Sequence, residues 1–171
     1  MIKVFIILLI FISTAFAAFE NLDISARSTG MGNAYTSIAD DSSGLFYNPA
    51  GVAFQNGKSV YLSYAKPYWG IGNLSTGVLG ISLPLKNFLC FGVDLMIFGE
   101  DPYTEKTYSF IVAYKMQVVE KQFLSLGVTA KSLTKELVAN DSVINNPYFG
   151  GRNSASGLSI DVGAIYRIMD V

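Results

Sequence analysis

The sequence has no histidine and a single cysteine in 171 residues. Without histidine there is no imidazole general base, no Ser–His or Cys–His pair and no histidine-bound zinc. One cysteine, Cys90, excludes an intramolecular disulfide, and its place in an apolar alternating run makes it a packing residue. Charge is sparse: Asp, Glu, Lys and Arg together make 15%, with a formal net charge of −1. Neither a nucleic-acid surface nor a trap for acidic substrates fits that balance. After the first dozen residues no apolar run approaches the roughly 20 residues of a membrane-spanning helix. Yet 51% of the residues are apolar, and that surface has to be covered by something.

The N-terminus has the layout of a secretory signal. Lys3 is the positive n-region, Val4–Ile12 the apolar h-region, and Ala15-Phe16-Ala17 an A-x-A cleavage site. Ala18 becomes the first mature residue. No cysteine follows the h-region to carry a lipid. We divide the chain into a signal peptide (1–17), an N-terminal hatch or plug (18–57) and a strand region (58–171).

From residue 58 the hydrophobic period is two. Six segments alternate: "SVYLSYA", "LSTGVLGISL", "NFLCFGVDLMIF", "KTYSFIVAYKM", "QFLSLGVTAKS" and "GLSIDVGAIYRI". One face of each is apolar, as with Leu89, Phe91, Val93, Leu95 and Ile97. The other face is small and polar with isolated mid-strand charges, as with Asp94, Lys115 and Asp161. Most segments are about ten residues, longer than the usual five or six and close to the 9–11 of a tilted membrane strand. A dry sandwich core would not take mid-strand charges. A barrel lumen would, with the apolar faces turned to lipid. We therefore expect an all-β fold: an antiparallel transmembrane β-barrel, about six strands of it present, with a short helical N-terminal hatch.

The connections support this. Residues 84–87 ("PLKN") and 119–121 ("VEK") read as tight turns; 66–72, 99–106 ("GEDPYTEK") and 132–156 read as longer loops. Short turns at one end and long loops at the other describe an outer-membrane barrel. Tyr64, Tyr68, Trp69, Tyr103 and Tyr108 near the long loops, and Phe88, Phe123 and Tyr166 near the short turns, would form two aromatic belts. Six strands do not close a barrel, since the smallest single-chain ones have eight. The expectation is an N-terminal part of a longer protein or a truncated gene product, or else several chains completing one barrel.

The stretch Arg27–Phe54, "RSTGMGNAYTSIADDSSGLFYNPAGVAF", offers no catalytic grouping. Gly30 and Gly32 lack the third glycine and preceding strand of a dinucleotide fingerprint. Asp40 and Asp41 are adjacent and do not face one substrate as an acid and a base. We expect the two aspartates to turn the chain after a short helix containing Tyr35 and Ile38. Asn48 should cap a helical turn with Pro49 at its first position. Tyr35, Phe46 and Tyr47 then seal the hatch against the wall. Candidate lumen charges are Asp94, Lys115, Asp161 and Arg167, pairing with one another or with hatch backbone. Nothing points to an enzyme, a metal or a cofactor.

The run Ala26–Ala53 resembles the N-terminal signature of the PorV/PorQ-type outer-membrane proteins, relatives of the FadL long-chain fatty-acid transporters. The matching residues are Gly30-Met31-Gly32 with Ala34, Ala39-Asp40-Asp41, and Phe46-Tyr47-Asn48-Pro49-Ala50-Gly51. "IDVGAIYRI" (Ile160–Ile168) resembles a strand of the same family. The resemblance implies a barrel of about fourteen strands with a hatch in its mouth or lumen, exported to the bacterial outer membrane. It implies outer-membrane lipid as surroundings, and as partners either secretion-system components and exported proteins (the PorV side, type IX secretion) or hydrophobic small molecules (the FadL side). A reading from another class is a secreted soluble β-barrel binding an apolar ligand. It requires polar outward residues on every strand.

Overall fold

The computed structural model describes residues 24–67, 70, 72–137 and 153–168. The signal segment, Tyr68, Trp69 and most of the 132–156 connection fall outside them. Among the described residues the chain forms α1 (Ala26–Gly30), α2 (Gly44–Tyr47), a 3-10 helix (Pro49–Phe54) and six strands. The strands are β1 (Ser59–Ala65), β2 (Ser75–Lys86), β3 (Leu89–Glu100), β4 (Tyr103–Val119), β5 (Gln122–Leu137) and β6 (Ser154–Ile168). They make one antiparallel meander in sequence order, β1 to β6. The chain is all-β, as the period of two requires.

Register carries the alternation across the sheet. Val60, Ile81, Val93, Phe110, Ala130 and Ile160 lie in one cross-strand row. Phe91, Val112, Val128 and Val162 form the next toward the short-turn end. These rows belong to the face that turns away from the hatch: Leu62 is 78% exposed, Leu158 88% and Val162 78%. A contiguous apolar face of six strands far exceeds the few hundred Å² that a soluble monomer leaves bare. It is the lipid-facing surface of a barrel wall.

This apolar belt has an upper limit that the register fixes. On β4 it runs from Tyr108 to Val118, about 33 Å along the strand at 3.3 Å per residue. At a tilt of about 40° that is about 25 Å of height, the usual apolar band of an outer-membrane barrel. Above Tyr108 the same outward positions become Lys106 and Thr104 on β4, Thr134 and Glu136 on β5, and Ser156 and Ser154 on β6, while Ser132 of β5 stands level with Tyr108. There Lys106 Nζ meets Glu136 Oε2 at 2.8 Å across the strands. The wall leaves the hydrocarbon but does not stop.

That continuation corrects the sequence reading in several places. "GEDPYTEK" is not a loop: β3 runs to Glu100, β4 starts at Tyr103, and a two-residue Asp101–Pro102 turn joins them. The first short turn is Asn87–Phe88 rather than 84–87, with Pro84 inside β2 beside a register shift. A bulge is where a strand tolerates proline's missing N–H. Tyr103 and Phe123 point inward, Tyr103 hydrogen-bonding Glu105 and Phe123 packing against the hatch. The outward rings at the belt margins are Tyr64 and Tyr108 at one end, and Phe88 and Tyr166 at the other.

Candidate functional site: the hatch and its seat

Residues 24–55 lie on the inner face, in its short-turn half, and every strand touches them. Tyr61 of β1 donates to the Ile24 carbonyl at 2.7 Å. Leu45 rests over Gly80 of β2 and Gly92 of β3. The Phe54 ring meets Lys115 of β4, the Ala50 carbonyl accepts from Ser125 Oγ of β5 at 2.7 Å, and Arg167 of β6 reaches Ile38. Contact with all six strands means that the sheet curls around the insert.

The centre of the hatch is a wedge built by "YNPAG". Asn48 is extended (φ −156°, ψ 110°), and its Oδ1 accepts from Ala50 N at 3.0 Å, capping the 3-10 helix that begins at Pro49. Its Nδ2 donates to the Thr36 carbonyl at 2.9 Å, stapling two hatch segments together. The wedge sits on two wall glycines. A Cβ on Gly127 would overlap the backbone of Pro49 and Ala50, and one on Gly163 would overlap Asn48 Oδ1. The small residues of the inner face are thus a seat, not merely a lining. Gly51 and Gly44 in turn close around the Ala39 carbonyl.

No helix contains Tyr35 and Ile38; residues 31–38 are successive turns, and the helix lies earlier, at Ala26–Gly30. Ser25 caps that helix. Gly30 ends it and Gly32 follows at φ +62°, a left-handed position suited to glycine. Tyr35 is fully buried and meets Tyr47 edge-on, centroids 5.3 Å apart. Burial raises its phenol pKa. Phe46 packs against Tyr61 at 6.0 Å. Tyr47 OH shares a 2.5 Å hydrogen bond with Ser28 Oγ.

The aspartates serve an ion network. Arg27 Nη1 donates to Asp40 Oδ1 at 2.8 Å and to Asp41 Oδ2 at 2.9 Å. Arg167, from the far end of the sequence, donates to the Ile38 carbonyl at 3.0 Å and to Asp40 Oδ2 at 3.5 Å. Asp41 Oδ1 also accepts from Ser43 N at 2.8 Å and Ser43 Oγ at 2.5 Å, turning the chain into α2. Burial pushes the Asp41 carboxyl up. Hydrogen bonds from Ser43, Arg27 and Tyr35 outweigh it, and the group titrates below the usual carboxylate range. The hydrogen bonds to Asp41 and Asp40 raise the Arg27 guanidinium still further.

The four lumen charges expected from the sequence separate into two groups. Asp94 is buried above Leu45 and Phe46, across from Ser109. Asp161 pairs with Lys131 at 2.6 Å. Lys115 and Arg167 are not in that group; both converge on Phe54, 5.3 and 4.3 Å from its centroid. Between hatch and β5–β6 lies a cavity of about 390 Å³ reaching Thr36, Asn48, Thr129 and Asp161. Sequence reasoning missed Arg27 and Lys131. Lys131 carries the signature used for Asp94, an isolated charge at mid-strand on the small-residue face. Arg27 is the lone cation ahead of the Asp40-Asp41 pair.

No curated protein and no solved structure matches the chain. The model of one family, described as type IX secretion system membrane protein PorP/SprF, matches residues 41–171. That span takes in Asp41, the wedge and all six strands, and leaves out the "STGMGNAYTS" half of the run that resembles PorV/PorQ. With a membrane-secretion family matched over most of its length, a lipid-facing belt and a filled inner face, the chain belongs to the PorP/SprF family of type IX secretion outer-membrane β-barrel proteins.

Proposed function

We propose that this chain is a non-catalytic wall-and-hatch element of the type IX secretion apparatus in the outer membrane, working by docking secretion components or exported proteins as PorV-like proteins do. The observation that carries this reading is the seat. The wedge on Gly127 and Gly163, with Arg167 reaching Ile38 and Asp40, makes the hatch an integral filling of the wall. A FadL-like conduit for hydrophobic small molecules needs a continuous apolar path. The inner face instead offers Ser, Thr and Gly with the Lys131–Asp161 pair. Export through a cleaved signal peptide belongs to the same proposal.

The test uses the full-length protein in its own cell. Deleting the gene should deplete exported proteins from the medium while leaving uptake of long-chain fatty acids unchanged. The tagged protein, extracted from outer membranes in detergent, should bring secretion components with it. Intact export with impaired fatty-acid uptake would turn the assignment to the FadL side. Recovery of the protein in the soluble periplasmic fraction would end the membrane reading altogether.

A further inference from the structure

Lys115 is a cation on the inner face of a membrane wall with no carboxylate partner among the described residues. Every other inner-face cation engaged at the hatch level has one: Arg167 has Asp40, and Lys131 has Asp161. Among the described residues the Lys115 ammonium meets the face of Phe54, at 5.3 Å. A barrel interior is polar and takes such a charge, so the question is what the ammonium engages. The same ring carries a second cation, the Arg167 guanidinium, at 4.3 Å, so the two charges are no more than about 10 Å apart. Around this mouth stand Arg27, Lys115 and Arg167 against Asp40 and Asp41, a surplus of one positive charge. Phe54 itself is buried, 7% exposed, and forms a floor rather than a third ligand.

We propose that Lys115 and Arg167, above Phe54, form an oxyanion-binding cradle at the short-turn mouth of the barrel, taking a carboxylate or phosphate group. Two charge-assisted bonds of about 2.8 Å from adjacent oxygens about 2.5 Å apart span about 8 Å, which covers most of the separations, up to about 10 Å, that the two ring distances allow. Arg167 has donors to spare, since its planar fork carries five N–H groups and only two carry hydrogen bonds here. The ammonium offers three more. The incoming anion supplies the charge that this wall lacks, and it would come from solution or from a group on a docked molecule. The cradle rests on the barrel-and-hatch reading for the direction of the lumen, not on the export role.

The full-length protein in detergent micelles is melted in chloride, inorganic phosphate and acetate at matched ionic strength. Phosphate or acetate should raise the midpoint by about 3 °C over chloride, as a ligand that binds only the folded state does. In Lys115→Met the anion preference should vanish, and in Lys115→Arg it should persist. A wild-type midpoint indifferent to the anion overturns the cradle whether or not the variants fold. An equal shift in Lys115→Met overturns it too, by placing the anion elsewhere. Preference for acetate would name carboxylate as the group, and preference for phosphate a phosphoryl group. Failure here leaves the export test untouched.

Discussion

Replacing Val128 by arginine isolates the environment of the outward face, because that environment alone fixes the cost. Val128 is 47% exposed and lies in the middle row of the apolar belt, beside Val112 and Val162. Thr134 has the same outward orientation on the same strand, six residues further toward the loop end. That is about 20 Å along β5 and about 15 Å along the membrane normal at a 40° tilt, just beyond half of a 25 Å band. An arginine at the midplane of a barrel wall costs about 2–4 kcal/mol, and one near the interface about 0–1. Val128→Arg should therefore be less stable than Thr134→Arg by about 2–3 kcal/mol, on the order of 30- to 150-fold in the folded ratio. Unfolding of the full-length protein by guanidinium in phospholipid vesicles measures both. On a sheet facing water the two substitutions would each fall within about 0.5 kcal/mol of wild type. Equal midpoints would refute the lipid assignment of the belt.

Gly127→Val should unseat the wedge, since its Cβ overlaps the backbone of Pro49 and Ala50. Overpacking of this kind costs about 1–3 kcal/mol; the expected outcome is rapid proteolysis within residues 24–55 while the unboiled gel mobility of the barrel is kept. Asp41 titrates below its ordinary value in the folded state. The stability it contributes is thus present at neutral pH and is lost as the pH falls below about 4. Melting between pH 6 and pH 3 should show a steeper acid limb for wild type than for Asp41→Asn, and coincident curves would assign that limb to other carboxylates.

Strand existence and facing were legible because the barrel wall repeats one physical demand at every second residue. The segments of the sequence reading and the observed strands share their cores, and the apolar face assigned to each is the exposed face. Strand ends were not legible. "GEDPYTEK" and the residues after Ser132 lose their apolar alternation because the wall passes out of the hydrocarbon, where outward positions take Lys106, Thr134 and Glu136. A strand in water and a loop in water draw on the same residues. Tyr103 and Phe123 were assigned to the belts by closeness to strand ends, but parity, not nearness, decides direction.

The amino-acid sequence by itself determined the six extended segments, which face of each is greasy, and the capped turn at Asn48–Pro49, because these depend on neighbours one to four residues away. Only the tertiary structure decided that Arg27 and Arg167 share Asp40, that Lys131 meets Asp161, and that Gly127 and Gly163 carry the wedge. Those partners lie 13 to 127 residues apart. The turns of the hatch bring Arg27 to Asp40, strand register and the curl of the sheet bring the others together, and no local pattern encodes those distances.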